Sequence, residues 1–301
     1  MSKRTFAILA ALAAAVIYGM NYTIAKAAMP VYVQPYGFIV LRVVFATAFF
    51  WLLSIWAPKE KIDRKDYLKF MLAAVFGVAV NMLAFFKGLN YTTPISASII
   101  MVTSPIMVLL FSRILLKEHL SLQKILGIFL GLIGTLIVIF SGATDLSLGG
   151  EHAMLGNLLV YTNASSYALY LVIVSKIVKK YHPLTFVKWI YTFGLLMVLP
   201  FGLGEVLAMK PAEIPDLIWL NIGYVLLFAT CGTYLFNLFA VRTLKASTVG
   251  VFIYLQPLVA GVFAVAVGAD KLSGIKIGAA IVIFVGVYLV TKKPKETRVK
   301  A

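Results

Sequence analysis

The sequence predicts an all-α membrane protein with ten transmembrane helices, arranged as two inverted five-helix repeats. Its residues are 62% hydrophobic and only 13% charged, with a mean hydropathy of +0.98, so most of the surface must face lipid. Apolar segments of about 20 residues, enough to cross a hydrocarbon core of about 30 Å, recur along the chain. A shift of 152 residues aligns one half with the other without a gap.

The internal repeat rests on residues that are uncommon inside apolar helices. Pro105 aligns with Pro257, and Glu118 aligns with Asp270. Each of these acids is followed at the same spacing by Leu-Ser and a new apolar run. A repeat of this kind predicts two copies of one structural unit.

Hydropathy predicts spans at 5–25, 35–56, 68–88, 95–116, 122–141, 154–178, 184–208, 216–240, 247–267 and 273–291. The first repeat then covers 1–141 and the second 154–291. Between them, 142–153 has the composition of a linker loop, expected outside the cytoplasm, and 292–301 forms a basic cytoplasmic tail. The first span is similar to a signal peptide, but its pairing with the sixth span predicts a retained helix.

The charge distribution predicts the orientation. There are 27 Lys and Arg against 11 Asp and Glu, a net charge of +16 that in a soluble protein would suggest nucleic acid. If the N-terminus is cytoplasmic, 21 of the 27 Lys and Arg residues fall on the cytoplasmic side and 5 on the outer side, and Arg42 lies within a span. This positive-inside bias accounts for the charge without a nucleic-acid partner. It predicts a prokaryotic inner-membrane protein with both termini in the cytoplasm.

Five helices per repeat is an odd number, so the second copy must be inverted relative to the first. The charge pattern agrees, because Arg113 and Lys124 fall inside while their region's counterpart, Asp270 to Lys276, falls outside. Inverted repeats with a site at the midplane are typical of secondary transporters that work by alternating access.

Several segments together resemble the EamA-type half of the drug/metabolite transporter superfamily, including bacterial amino-acid and metabolite exporters. They are Tyr18-Gly19-Met20-Asn21-Tyr22 with Lys26, Leu41-Arg42, Ala97 to Pro105, Leu116-Lys117-Glu118, Tyr254-Leu255-Gln256-Pro257 and Asp270-Lys271-Leu272. Two positions depart from the family pattern, because Lys117 replaces its usual glycine and Asp270 its usual glutamate. The resemblance implies ten helices, a central cavity lined by helices 1, 3, 4, 6, 8 and 9, and export or exchange of small metabolites.

Polar side chains within spans are the candidate substrate-binding groups. A polar group in lipid is costly and usually faces an interior cavity. The alternative is that such groups join helices through hydrogen bonds. The candidates are Tyr18, Asn21, Tyr22, Asn81, Asn163, Tyr167, Tyr170, Tyr234, Tyr254 and Gln256.

A second set of residues is predicted to act as gates, hinges or structural supports. Arg42 keeps its charge at any useful pH and is expected to bind helix-end carbonyls or a gate, with a substrate carboxylate as the alternative. Pro105 and Pro257 are expected to kink their helices near the site. Glu118 and Asp270 are expected at helix N-termini, with ion coupling as the alternative.

The favoured function is export or exchange of amino acids or related compounds. Proton-coupled efflux of drugs or metabolites is the alternative, and an intramembrane enzyme or a channel ranks lower. No Asp, Glu or His falls mid-span, which favours facilitated diffusion or exchange unless Glu118, Asp270 or Lys26 takes part. The single cysteine and the loop histidines predict no metal site, and no motif predicts a cofactor or an enzyme. Since two halves already enclose a site, a monomer would suffice.

Overall fold

The computed structural model describes residues 3–117, 121–144, 151–175, 177, 180–244 and 252–291, and these ranges are helical without any strand. Eight segments within them are long and apolar enough to cross a membrane: Lys3–Ala28, Pro35–Trp56, Arg64–Tyr91, Pro94–Leu116, Leu122–Phe140, Ala153–Val174, Pro183–Leu207 and Asp216–Asn237. The ninth and tenth predicted spans correspond to shorter apolar helices, Gln256–Ala266 and Gly274–Leu289. An all-helical membrane protein is therefore confirmed, and the total of ten crossings stays a prediction.

Thirteen α-helices make up the described part of the chain. They are α1 (Lys3–Ala28), α2 (Pro35–Leu53), α3 (Tyr67–Ala74), α4 (Val80–Tyr91), α5 (Pro94–Met101), α6 (Ser104–Leu116), α7 (Leu122–Thr144), α8 (Ala153–Val174), α9 (Pro183–Leu207), α10 (Asp216–Leu226), α11 (Thr233–Thr243), α12 (Gln256–Ala266) and α13 (Gly274–Thr291). Helices α2, α5 and α9 begin at proline, whose missing N–H would be unpaired there in any residue. Most of the predicted linker, 145–150, and the basic tail, 292–301, lie outside the described residues.

Two π-helical segments interrupt spans at matching places. Val75–Ala79 joins α3 to α4, and Leu227–Gly232 joins α10 to α11. Their first residues are 152 apart, the offset of the sequence repeat. A π-helical turn widens the helix and leaves backbone groups for other partners, and such turns often occur at functional sites.

The two repeat prolines begin half-helices rather than kinking continuous ones. Helix α5 ends at Met101, and Pro105 lies in the first turn of α6. Pro257 likewise lies in the first turn of α12, after the 3₁₀ turn Phe252–Leu255. The expected kink is thus a full break, because proline is tolerated at the start of a helix and not within one.

Lys117 ends α6 in the left-handed conformation, with φ of 56°. Glycine adopts this conformation without steric cost, whereas a side chain is strained there. This explains why the family pattern has glycine at this position. Lys117 therefore keeps the same backbone turn, but in a strained conformation.

Helix pairs pack in matched ways across the two halves. Helix α7 crosses α13, where Gly134 faces Ile283 and Gly286 faces Gly131. Gly286 lies 152 residues after Gly134, and Gly131 lies 152 residues before Ile283. The second contact therefore repeats the first with the two halves exchanged. Likewise α1 packs on α11 and α12, while α8 packs on α4 and α6. Small residues at these crossings let backbones approach closely, which is how helices associate in lipid.

The α7–α13 crossing predicts a sharp difference between two glycines of one helix. A β-carbon at Gly286 would lie 2.7 Å from the carbonyl oxygen of Gly127 and the nitrogen of Gly131, whereas Gly278 has nothing within 4 Å. Gly286→Ala should therefore destabilise the protein by about 1–3 kcal/mol through overpacking. Gly278→Ala should be neutral or slightly stabilising. Thermal unfolding of both variants in detergent checks this, and equal midpoints would contradict the crossing.

Candidate functional site

Helices α1, α4, α8 and α12 bring many of the predicted binding residues together. The hydroxyl of Tyr22 on α1 donates to Oε1 of Gln256 on α12 at 3.5 Å. The Tyr22 ring also meets the edge of Phe85 on α4, with centroids 5.6 Å apart. Tyr18, one turn earlier, lies near Tyr22 and near Tyr167 on α8. These side chains form a continuous group between the two halves of the sequence.

Helix α8 supplies a stacked tyrosine pair to the same group. The rings of Tyr167 and Tyr170 lie 6.1 Å apart and nearly parallel. Tyr170 rests on Gly77 in the π-helical segment, where a β-carbon would come within 2.6 Å of its ring. Because that π-helical position is a glycine, the aromatic side chain can sit directly against backbone.

Tyr191 on α9 also belongs to this group, although it is not among the predicted residues. It lies near Tyr18, Tyr170 and Arg42. Its ring lies 5.5 Å from that of Phe50 on α2. It was missed because its partners lie on other helices and are distant in the sequence.

Two predicted residues lie at the edge of this group, and one of them, Tyr234, is near Tyr170. Tyr234 packs on Phe50 with centroids 5.0 Å apart, and its hydroxyl donates to the Pro183 carbonyl at 3.4 Å, at the start of α9. Tyr254 packs against Phe284 of α13, with centroids 6.2 Å apart. Their aromatic contacts therefore connect the group to its surrounding helices.

Asn81 and Asn163 join two helices, and the side-chain oxygens of Asn21 and Asn163 lack a hydrogen-bond partner among the described residues. Nδ2 of Asn163 donates to the Asn81 carbonyl at 2.7 Å, and Nδ2 of Asn81 donates to the Asn163 carbonyl at 3.3 Å. Within the described part of the chain, Oδ1 of Asn163 and Oδ1 of Asn21 are buried without a hydrogen-bond partner. An unpaired buried acceptor costs about 1–3 kcal/mol, so both oxygens favour a ligand that donates hydrogen bonds.

Arg42 is buried against the second π-helical segment. Its Nε donates to Oγ1 of Thr230 at 2.7 Å, and one terminal nitrogen donates to the Ala229 carbonyl at 3.4 Å. Its guanidinium also lies 5.5 Å from the centre of the Phe86 ring. Arg42 thus contacts a carbonyl at a π-helical turn rather than at a helix end, and its part in a gate stays a prediction. No salt bridge to Arg42 occurs among the described residues.

At one end of the bundle, Lys26 caps the C-terminus of α4. Its ammonium donates to the carbonyls of Leu89, Asn90 and Thr92 at 2.9, 3.1 and 2.5 Å. A cation suits the negative end of the helix dipole. Lys26 therefore makes specific structural contacts, beyond those of a lipid anchor.

Asp270 lies in the same region and differs from its predicted role. Its carboxylate pairs with Lys276 at 2.7 Å, and the two side chains are 4% and 1% exposed. It also accepts from the N–H of Ile95 at 3.0 Å, so it caps α5 rather than the helix that follows it. Ser273 caps that next helix by accepting from the N–H of Lys276. Glu118, its repeat counterpart, lies outside the described residues.

An ion-pair cluster joins two loops at the opposite end. Asp66 accepts from Lys69 at 2.7 Å, from Lys180 at 2.6 Å and from Tyr181 at 2.9 Å. Lys180 also donates to Asp63, and these carboxylates raise the pKa of Lys180 above its ordinary value. The α2–α3 connection is thereby tied to the α8–α9 connection. The sequence prediction missed this cluster because the partners are more than 100 residues apart.

Two surface depressions lie away from the tyrosine and asparagine group. One, of about 390 Å³, is formed by the α2–α3 connection with Tyr67 and Trp189. The other, of about 490 Å³, lies between Phe45 of α2 and the outer face of α10. Among the described residues no three His, Cys, Asp or Glu side chains are grouped to hold a metal ion.

Apolar spanning helices around a buried polar group define an integral membrane protein of the transporter class. The chain belongs to the EamA-like transporter family, which it matches over residues 5–140 and again over 154–292.

Similar proteins carry transporter names. An uncharacterized transporter of Bacillus subtilis, YyaM, is 28% identical over 75% of this chain and 73% of its own. Another from that organism, YdfC, is 30% identical over 69% of this chain and 66% of its own. An uncharacterized transporter of Archaeoglobus fulgidus is 25% identical over 86% of each chain. A crystal structure aligns over 96% of this chain and 98% of its own, with TM-score 0.61 and 18% identity, and shows the shared fold.

The asparagine pair predicts a stability difference between neighbouring residues. Asn163→Leu removes the bond to the Asn81 carbonyl between helices. It should destabilise the protein by about 1 kcal/mol, the usual size of such a bond in lipid. Thr162→Val is the matched control, because Thr162 is exposed and bonds only within its own helix. Thermal unfolding in detergent measures both, and an equal effect would exclude the interhelical role.

The buried ion pair predicts a larger effect. Asp270→Asn leaves the Lys276 ammonium buried without its countercharge, which should cost about 3–5 kcal/mol. The double variant Asp270→Asn with Lys276→Met should recover part of that loss. Lys271→Gln, an exposed neighbour, serves as the control. If Asp270→Asn were as stable as Lys271→Gln, the ion pair between Asp270 and Lys276 would be refuted.

Proposed function

We propose that this protein is a secondary transporter that exports or exchanges small polar or zwitterionic metabolites, with amino acids and related compounds as the leading class. The observation that carries the proposal is that, in the described part of the chain, the side-chain oxygens of Asn21 and Asn163 are buried without a hydrogen-bond partner, on the same helices as Tyr22 and Tyr167. A substrate with an ammonium group supplies the hydrogen-bond donors that these oxygens lack. The EamA-like family and the transporter names of the relatives support the same class.

The proposed architecture is two inverted five-helix repeats, residues 1–141 and 154–291. Support comes from the gap-free sequence offset, from the family match in each half and from the matched contacts at Gly134 and Gly286. The bias of Lys and Arg toward one side supports cytoplasmic termini in a prokaryotic inner membrane. The linker 142–153 then lies outside the cytoplasm and the tail 292–301 within it.

The proposed substrate position is at the breaks in the helices. Helices α6 and α12 begin next to Pro105 and Pro257, and the positive end of each helix dipole suits a substrate carboxylate. Gln256 and Tyr22 can bond polar groups, and Phe85 offers an aromatic surface. A substrate with both charges and a short apolar part fits these groups together.

Arg42 is assigned a supporting role in this proposal. Its contacts with Thr230 and Ala229 satisfy the groups that the π-helical turn leaves free. It links α2 to the α10–α11 span and adds positive potential beside Tyr191. A direct bond to the substrate carboxylate is the alternative role.

Alternating access would require the contacts at the two ends to open in turn. The Lys26 and Asp270 contacts tie α1 and the α12–α13 connection to the α4–α5 region. The cluster around Asp66 ties the α2–α3 and α8–α9 connections. Rocking of one half against the other would break one set while the other stays closed.

Exchange or facilitated diffusion is favoured over proton coupling. Asp270, the acidic candidate that is described, is paired with Lys276 and bonded to the Ile95 N–H. Both contacts are structural, and they occupy the carboxylate that proton coupling would need. A monomer would be sufficient, because both halves contribute to the proposed site.

Transport by proteoliposomes tests the proposal. Vesicles loaded with a labelled amino-acid pool should show saturable efflux that is faster with unlabelled amino acids outside and unchanged by a pH gradient. Acceleration by the gradient would favour the proton-coupled alternative. Absence of any amino-acid efflux would reject the substrate class.

A site variant separates binding from folding. Asn21→Leu removes the unpaired oxygen and should raise the half-saturation concentration about tenfold, the worth of one hydrogen bond to a charged group. Thr162→Val on the exposed face of α8 should leave it unchanged. If both variants had the same half-saturation concentration, the substrate would not contact Asn21.

A further inference from the structure

We propose that the depression beside the α2–α3 connection binds the headgroup phosphate of an anionic phospholipid. It has a volume of about 390 Å³ and is lined by Glu60, Lys61, Ile62, Arg64, Tyr67 and Trp189. This headgroup site is separate from the substrate group, and it rests on the proposed membrane embedding of the helices.

The position places the headgroup site at the membrane boundary. Glu60, Lys61 and Ile62 lie between the candidate spans Pro35–Trp56 and Arg64–Tyr91. Arg64 and Tyr67 lie at the start of the second of these spans, and Trp189 lies near the start of Pro183–Leu207. The end of a spanning helix lies at the level of lipid headgroups. In the proposed orientation this end faces the cytoplasm, where anionic lipids attract basic segments.

The headgroup site has an excess of unpaired positive charge, which favours binding of anions. The acids of the connection have internal partners, because Asp63 and Asp66 bind Lys180 and Glu60 accepts from the N–H of His182 at 2.8 Å. In the described structure, Lys61 and Arg64 have neither a salt bridge nor a side-chain hydrogen bond, and both are exposed.

Two aromatic side chains, Tyr67 and Trp189, line the headgroup site. The rings of Tyr67 and Trp189 lie 6.3 Å apart, and Trp51 lies 5.6 Å from Trp189. The ammonium of Lys188 sits 4.6 Å from the centre of the Trp51 ring. Amphipathic aromatic rings of this kind settle at the headgroup level, where one edge is apolar and the other wet.

A lipid is favoured over a free phosphate because apolar surface continues from the headgroup site. Leu68, the next residue after Tyr67, is 65% exposed, and Ile55 and Trp56 are 70% and 75% exposed. Such surface fits acyl chains next to the phosphate. The chemistry therefore selects a molecule with an anionic head and apolar chains.

Fluorescence quenching by brominated lipid tests the headgroup site. The reporter keeps Trp189 alone, with Trp51, Trp56 and Trp219 replaced by Phe, in phosphatidylcholine vesicles with increasing brominated phosphatidylglycerol. Quenching should saturate at a low fraction of that lipid and exceed quenching by brominated phosphatidylcholine. Native mass spectrometry of the protein with all four tryptophans should show retained phosphatidylglycerol.

Charge variants with a matched control decide the outcome. Lys61→Gln with Arg64→Gln should weaken the apparent affinity about 30-fold, about fivefold for each cation. Lys3→Gln with Arg4→Gln removes the same charge from exposed positions on the same side in the proposed orientation, and should have little effect. Equal loss in both pairs, or equal quenching by the two lipids, would overturn the proposal. Displacement of the brominated lipid by inorganic phosphate would show a free-anion site and overturn it as well. No outcome depends on transport, so the proposed function is tested independently.

Discussion

The structure depends on one constraint: a polar group surrounded by lipid must find its partner within the protein. Lys26 meets the last carbonyls of α4, and Arg42 meets the π-helical turn at Thr230. Asn81 and Asn163 exchange bonds across two helices. For Lys26 and Arg42, the end or interruption of a helix, which lipid cannot solvate, is satisfied by a side chain from a distant part of the sequence. The asparagines instead join two helices at their backbone carbonyls.

The same constraint explains why interruptions and candidate site coincide. A break at Pro105 or a π-helical turn at Gly77 is tolerated only where protein or a cavity surrounds it. These places therefore collect tyrosines and amides, such as Tyr170 against Gly77. In the proposed site, the backbone that accommodates the interruption would also give a substrate access to polar groups, so structural need and binding capacity would arise from one arrangement.

Sequence reasoning predicted most of the fold and part of the candidate site. Eight predicted spans correspond to long apolar helices, because hydropathy is a local property that the fold cannot override in lipid. Tyr22 and Gln256 were each selected as polar residues within spans, and the structure shows that they contact each other. Tyr191 and the cluster at Asp66 were missed, because their significance lies in partners that no sequence period connects.

Composition and the length of the apolar segments were enough to predict the class of protein and its helices, because they decide what crosses a membrane, and the repeated motifs indicated the family. Which partner each polar group takes depends on how the helices pack. Asp270 shows the difference: its place before a helix suggested a local cap, yet it bonds α5 and Lys276. Local patterns fix the element, but a buried charge is satisfied by whatever the packing brings within reach.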